Sequence, residues 1–213
     1  EHANLYVILG GKIALLIDTG TGIWDVKKEV EKITDSPLMV VNTHCHYDHC
    51  GGNSQFESVH IHHLERECIM HPNSNNTAAF LMKPSDFIFS PDNFDAASYV
   101  VKSANNVISL HDNQLIDIGN FQFRVLHMPG HSKGSICLYE PHKKILFSGD
   151  VIYRGEIYYN LPFSNIDEYL ESLKKLLKLE VILCYPGHNE VLNGDEFSVV
   201  LQTAIDTLEK NRP

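Results

Sequence analysis

His44-Cys45-His46-Tyr47-Asp48-His49, followed after Cys50 by Gly51-Gly52, is the stretch that decides how this chain is read. It gathers four metal-ligating side chains, His44, His46, Asp48 and His49, within six residues. In an extended segment, side chains two apart share a face, so His44 and His46 can close on one ion while Asp48 and His49 turn toward a second. Three further candidates sit in glycine-containing turns downstream: Pro129-Gly130-His131, Ser148-Gly149-Asp150 and Pro186-Gly187-His188. Together these seven residues supply five imidazoles and two carboxylates. That donor mixture suits two zinc ions and accommodates iron or manganese. Taken alone, His131 is an ordinary polar residue and Asp150 an ordinary turn residue; it is their recurrence beside the histidine-rich loop that points to a metal site. Cys45 alternates away from His44 and His46, and with Cys50 it reads as a small packing residue.

The bulk composition bounds what such a site serves. With 213 residues and 43% hydrophobic composition, the chain is expected to form a single domain, 1–213, with residues 77–99 as an insertion. A net charge of -10 argues against a nucleic-acid partner and leaves room only for a local basic groove. No apolar run approaches the roughly 20 residues needed to span a bilayer, and no signal-peptide pattern opens the chain. Five cysteines without framework spacing favour a reducing, cytoplasmic setting. The sequence starts at Glu1 and enters the apolar run Leu5–Leu9 almost at once, so a missing N-terminal segment is expected. Oligomeric state is not encoded in these patterns.

Along the chain, Leu5–Leu9 and Lys12–Ile17 predict a hairpin around Gly10-Gly11. The stripe Ile23, Val26, Val30 and Ile33 predicts a helix, and Leu38–Asn42 a buried strand that delivers the histidine loop. Val59–His62 predicts another strand, with a helix near His63–Met70. Residues 71–106 carry Phe80, Leu81, Met82, Phe87, Phe89 and Phe94 without periodicity, which fits either a substrate wall or a local packing unit. Strands are then predicted at Val107–Leu110, Gln114–Asp117, Phe121–Met128, Ser135–Tyr139 and Lys144–Ser148. Asn165 or Ser164 caps a helix with the apolar stripe Tyr169, Leu170, Leu173, Leu176 and Leu177. Val181–Cys184 predicts a strand leading to His188, and a final amphipathic helix rests on Phe197, Val200, Leu201, Ala204, Ile205 and Leu208. Two sheets with outer helices accommodate this order.

With these residues in place, the chain resembles the metallo-β-lactamase superfamily. The likeness runs from Ile17-Asp18-Thr19-Gly20 through the histidine loop, His131 and Asp150 to His188, with the motifs in the family's order. It implies an α+β fold, a four-layer αββα sandwich with a metal site at one edge between the sheets. It further implies that His44, His46 and His131 hold a first metal, that Asp48, His49 and His188 hold a second, and that Asp150 bridges them. His60, His62, His63, His71, His111, His127 and His142 fall outside the pattern and are expected to be surface or packing residues.

Two divalent ions about 3.5–4 Å apart lower the pKa of a shared water and polarise a carbonyl, so such a centre favours acyl transfer to water. Asp48 and Asp150 are then catalytic as well as ligating. The position of Asp150 is Cys or Ser in the superfamily's β-lactamases, and flavodiiron members carry an acid in place of His46, so neither activity is the first expectation. A persulfide dioxygenase with one iron would leave part of the ligand set idle. Glyoxalase II would need a basic C-terminal region that is not evident, and a non-catalytic metal-binding module has no use for so full a ligand set. The segments Leu126–Leu138, Lys144–Tyr153 and Leu161-Pro162-Phe163-Ser164 most resemble the acyl-CoA thioesterase type of the superfamily. That implies a small-molecule acyl thioester as substrate, with residues 77–99 as the acyl wall. Tyr153, three residues after Asp150, resembles the substrate-facing tyrosine of homoserine-lactone lactonases, which makes lactone opening the alternative. A packing aromatic at a strand end is its other reading.

Overall fold

Apolar residues at every second position of short strands force two faces on each sheet, and both faces are covered here. A computed structural model describes residues 3–83, 89–92 and 94–212. β1 (Tyr6–Leu9) and β2 (Ala14–Ile17) pair antiparallel, with Tyr6 opposite Ile17 and Leu9 opposite Ala14. After α1 (Val26–Glu31), β3 (Leu38–Val41) pairs parallel to β2. The short helices α2 (Tyr47–Cys50) and α3 (Arg66–Met70) flank β4 (Val59–His62), and β5 (Val107–Leu110) completes a five-stranded sheet of order β1-β2-β3-β4-β5.

The second sheet is built from β6 (Leu115–Asp117), β7 (Gln122–His127), β8 (Ile136–Glu140) and β9 (Ile145–Gly149), all antiparallel neighbours. α4 (Ile166–Leu176) then leads to β10 (Leu183–Pro186), parallel to β9, and β11 (Leu192–Asn193) forms the edge before α5 (Gly194–Asn211). Both long helices begin on asparagine caps. Asn165 accepts from the backbone N–H groups of Asp167 and Glu168, and Asn193 forms a reciprocal capping box with Glu196.

Three buried apolar layers separate four structural layers. Leu15, Ile17, Val41 and Leu110 of the first sheet meet Phe123, Val125, Ile136 and Leu138 of the second. The outer face of the first sheet, Leu16, Val40, Val59 and Ile61, packs on Val30, Cys50, Cys68 and Ile69. The outer face of the second, Cys137, Tyr139, Leu146 and Cys184, packs on α4 and α5 through Leu170, Leu173, Phe197 and Leu201. The αββα sandwich is therefore the observed architecture. Its far end is closed where the β1–β2 turn meets the turn after β6. A side chain at Gly10 would place its Cβ 2.1 Å from the Ile118 carbonyl oxygen, and the Lys12 N–H donates to that same oxygen.

Several boundaries differ from the sequence expectations. The stripe from Ile23 to Ile33 yields only the six residues of α1, because its two ends face a groove rather than the core. β10 starts two residues later than Val181, and the two-residue β11 carries too little pattern to be foreseen. The histidine loop is extended only to His46, whose φ of -71° and ψ of 151° cap the helical turn Tyr47–Cys50. Within residues 71–106, the described residues contain only single 3-10 turns, at Ala79–Leu81 and Ala96–Ser98. Phe87 lies outside the described residues. No helix among the described residues is long and apolar enough to cross a membrane.

Phe123 has no exposed surface and sits at the centre of the layer between the sheets. Phe123→Ala is expected to cost about 3–5 kcal/mol, measured as a lower denaturant midpoint at unchanged slope.

Candidate metal centre

Every predicted ligand outside the histidine loop follows the C-terminal end of a strand at one end of the sandwich: His131 after β7, Asp150 after β9 and His188 after β10. His44 and His46 follow β3, and the helical turn then swings Asp48 and His49 to the other side of the same space. The ligand atoms of His44, His46 and His131 lie within 4.8 Å of one another, as do those of Asp48, His49 and His188. Asp150 joins the two groups. Its Oδ2 is 3.6 Å from His131 Nε2 and 3.2 Å from His188 Nε2, while Oδ1 is 3.2 Å from His49 Nε2. All seven side chains expected from the sequence are thus brought together. Gly187 makes this approach possible, since a Cβ there would stand 2.3 Å from Asp150 Oδ1.

Surrounding hydrogen bonds decide which nitrogen each ring presents. Asp18, buried and in the left-handed region at φ 63°, accepts from the Thr43 backbone N–H at 2.7 Å and the Thr43 hydroxyl at 2.8 Å. Its Oδ2 also accepts from His49 Nδ1 at 2.8 Å, which leaves His49 Nε2 pointing inward. With the Thr43 hydroxyl committed to Asp18, His44 Nδ1 donates to Thr43 Oγ1 at 3.1 Å and frees His44 Nε2. His131 Nδ1 donates to the Tyr158 carbonyl at 2.9 Å and frees its Nε2 in the same way. Fixing tautomers from behind in this manner is characteristic of metal sites. In the sequence, Asp18 stands out only as the end of a hairpin and part of a motif. Its role depends on the turn at Asp18 meeting the start of the histidine loop, and no spacing reveals that.

The inward-facing atoms fit a cationic guest. His44 Nε2 is buried without a hydrogen-bond partner, a state that costs about 1–3 kcal/mol when nothing compensates it, and Asp150 Oδ1 makes no hydrogen bond beyond its ion-pair contact with His49 at 3.2 Å. His46 Nδ1 faces His131 Nε2 at 3.0 Å, and His49 Nε2 faces His188 Nε2 at 3.3 Å, so each facing pair of nitrogens has room for at most one proton. Electrostatics divides the rings. Burial, reinforced by neighbouring imidazoles, holds His44 and His46 well below the usual histidine range. Burial also opposes charge on His49 and His188, but it is outweighed at His49 by Asp150, Asp48 and Asp18, and at His188 chiefly by Asp150, so both are raised. Burial disfavours the Asp150 carboxylate, yet His49 and His188 hold its pKa well below the ordinary range.

A cavity of about 990 Å³ opens over this cluster. Its floor includes His46, Asp48, His131, Asp150 and His188, and its walls carry Leu5, Ile23, Trp24, Ile33, Leu81 and Phe89. Residues 77–99 contribute to one wall through Ala78, Leu81, Lys83 and Phe89. Residues 84–88 and 93 lie outside the described residues. The opposite wall, from β1 and the ends of the α1 stripe, was not foreseen because its apolar residues have the same period as a core face. Tyr153 does not line this cavity; Tyr158 does. Tyr153 is buried in the helix-covered core, donates from its hydroxyl to the Glu156 carbonyl at 2.7 Å and sets its ring edge-on to His188 at 5.3 Å. The five cysteines are buried free thiols, and Cys45 Sγ donates to the Asn76 carbonyl at 3.3 Å.

Comparison with known proteins places this geometry in a family. Residues 1–188 match the profile described as the Metallo-beta-lactamase superfamily. The chain is 35% identical over 207 residues to the acyl-coenzyme A thioesterase MBLAC2 of Homo sapiens, covering 88% of this chain and 73% of that protein. It is 32% identical to the Gallus gallus protein of the same name, covering 92% and 75%. Among solved structures, TTHA1623 in a di-iron-bound form superposes with a TM-score of 0.70 at 26% identity, covering 93% of each chain. The metallo-beta-lactamase family protein TTHA1429 from Thermus thermophilus superposes with a TM-score of 0.75 at 20% identity, covering 98% of this chain and 75% of that one.

Asp18→Asn is expected to weaken metal retention by about 10–100-fold, measured by competition with a chromogenic chelator. Metal uptake must displace the proton that the carboxylates hold on His49, whose pKa is raised. Affinity should therefore fall as pH is lowered, and calorimetry in buffers of differing ionisation enthalpy should register proton release on binding.

Proposed function

The chain belongs to the metallo-β-lactamase superfamily of metal-dependent hydrolases, and on that premise we propose that it hydrolyses an acyl-CoA thioester at a centre of two zinc ions. The observation that carries this reading is the apolar groove leading straight to the ligand cluster, in a chain whose curated relatives include acyl-CoA thioesterases.

His44, His46 and His131 would hold one cation and Asp48, His49 and His188 the other, with Asp150 between them. When bound, such ions supply Lewis acidity that activates water and polarises a carbonyl. The protein's own residues do the rest. Asp18, Thr43 and the Tyr158 carbonyl keep three imidazoles in the tautomer that presents Nε2 to the centre. Asp48 is the more exposed of the two carboxylates, at 22% against 7%, and borders the cavity, which supports a role in carrying a proton to or from the reacting centre. Leu5, Ile23, Trp24 and Ile33 on one side and Leu81 and Phe89 on the other remove an acyl chain from water. At about 0.8 kcal/mol per buried methylene, this favours long chains over acetyl.

Lactone opening loses the donor that motivated it, because the Tyr153 hydroxyl is committed to the Glu156 carbonyl inside the core.

Protein purified without chelator is expected to contain two zinc per chain and to release one thiol per palmitoyl-CoA consumed, read with a chromogenic thiol reagent. Asp150→Ala should lose metal and turnover together, whereas Tyr153→Phe should keep both. Opening of a long-chain homoserine lactone without thiol release from palmitoyl-CoA would replace the thioester reading. Full metal retention in Asp150→Ala would overturn the bridging role.

A further inference from the structure

β1 is the free edge of the first sheet, and on its outer face the apolar layer thins. Tyr6 and Ile8 pack toward the layer between the sheets, so alternation turns Leu5, Val7 and Leu9 outward. Val7 stands opposite Leu16 in the β1–β2 register, and both belong to the outer layer with Val26 and Val30 of α1. The six residues of α1 leave Leu5 and Leu9 exposed. An apolar strand face at a sheet edge invites association unless something occupies it.

This face begins at the candidate metal ligands. Ala3 bridges His188, the Asn4 N–H donates to the Gly187 carbonyl at 2.7 Å, and the Tyr6 hydroxyl donates to the Pro186 carbonyl at 2.7 Å. The cavity over the ligand cluster follows the strand from there, since Ala3, Leu5 and Val7 line it together with His46, Asp48 and His188. Leu16 and Val30, only 1% and 4% exposed, line it as well, so the cavity deepens between β1–β2 and α1 until it meets the outer core. Leu81 and Phe89 on the opposite wall are 40% and 81% exposed and form a rim instead. The charged lining residue on α1 is Glu29, which Lys32 pairs at 2.7 Å. Val7 is the last residue of the β1 face inside the cavity, and Leu9 lies beyond it.

Strand geometry turns this face into a ruler. At about 3.3 Å per residue, Val7 lies about 13 Å beyond Ala3, and Leu9 about 20 Å beyond it. An extended alkyl chain advances about 1.25 Å per carbon, from a C–C bond of about 1.5 Å at a near-tetrahedral angle, so about ten carbons run from Ala3 to Val7 and about sixteen to Leu9. A peptide partner would pair with the backbone edge of β1. This recess opens on the side-chain face, and its deep end offers only apolar groups, which suits an occupant without polar atoms.

We propose that the acyl chain of the substrate runs from the candidate metal centre over Ala3, Leu5 and Val7 and beneath α1, and that Val7 sets the chain length the recess accepts. This inference deepens the thioester reading and rests on it.

Fatty acids bind without being hydrolysed, so they test the track separately from the reaction. Octanoate, decanoate, dodecanoate and palmitate are titrated by calorimetry into wild-type protein, Val7→Phe and Leu9→Phe. Wild-type affinity should rise about two- to fourfold per carbon as far as decanoate and more slowly beyond it. Val7→Phe fills the far end of the recess. It should leave octanoate binding within about twofold of wild type and weaken palmitate binding about tenfold, the scale of two lost methylene contacts. Leu9→Phe, outside the recess, should leave decanoate binding unchanged. The same split is expected in KM for octanoyl-CoA against palmitoyl-CoA. An unchanged length profile in Val7→Phe overturns the track, and so does an equal loss of octanoate and palmitate binding, which a merely structural role would produce. Fatty acids that fail to bind wild-type protein also overturn it, and a concentration-dependent dimer lost in Val7→Phe would then assign the face to a second copy of the chain. If wild-type protein binds fatty acids in the expected pattern yet cleaves no thioester, the hydrolase reading falls and the chain-binding track stands by itself.

Discussion

The Asp18 carboxylate holds the metal centre in register with the scaffold. It follows β2 directly, is fully buried, and receives three hydrogen bonds from Thr43 and His49, the residues on either side of the first two ligands. A buried carboxylate is tolerable only when so satisfied. The same bonds that satisfy it fix the path of the histidine loop and the direction of two imidazoles. The left-handed backbone at Asp18 turns the chain sharply enough to bring its carboxylate under the loop.

Around that anchor, the sandwich separates stability from chemistry. Three apolar layers bury both faces of both sheets, so the strand ends are free to carry polar groups without exposing the core. The inward-facing nitrogens and carboxylate oxygens then crowd into one space, where His44 Nε2 has no hydrogen-bond partner and the facing imidazoles share their protons. A cation would satisfy these donor atoms together, and without one Asp150, Asp48 and Asp18 favour a proton on His49. The helix α1 serves both sides of this division. Val30 is buried in the outer core with Val26 packed against it, and both, with the flanking Ile23 and Ile33, also line the groove over the candidate metal centre.

The candidate ligand residues were legible because each requirement is local: histidine or aspartate beside a glycine at a strand end, repeated along the chain. Both long helices were legible for the same reason, since the caps Asn165 and Asn193 and the 3.6-residue stripes lie within one stretch of sequence. The Tyr153 position was ambiguous. An aromatic residue three places after a ligand faces either the substrate or the core, and only the path of the chain to Glu156 turns its hydroxyl inward.

What the sequence determined by itself is therefore the order of the elements, the donor chemistry and the family likeness, because composition, period and motif spacing are properties of neighbouring residues. Tertiary structure decided how those donors meet. It placed Asp18 behind His49, separated by 31 positions, and His131 against His46, separated by 85. It also set the apolar groove over the candidate metal ligands, from segments between which the sequence shows no relation. The reason is physical: side-chain orientation and the distance between residues remote in sequence are set by sheet pairing and close packing of the whole sandwich, and no local pattern contains them.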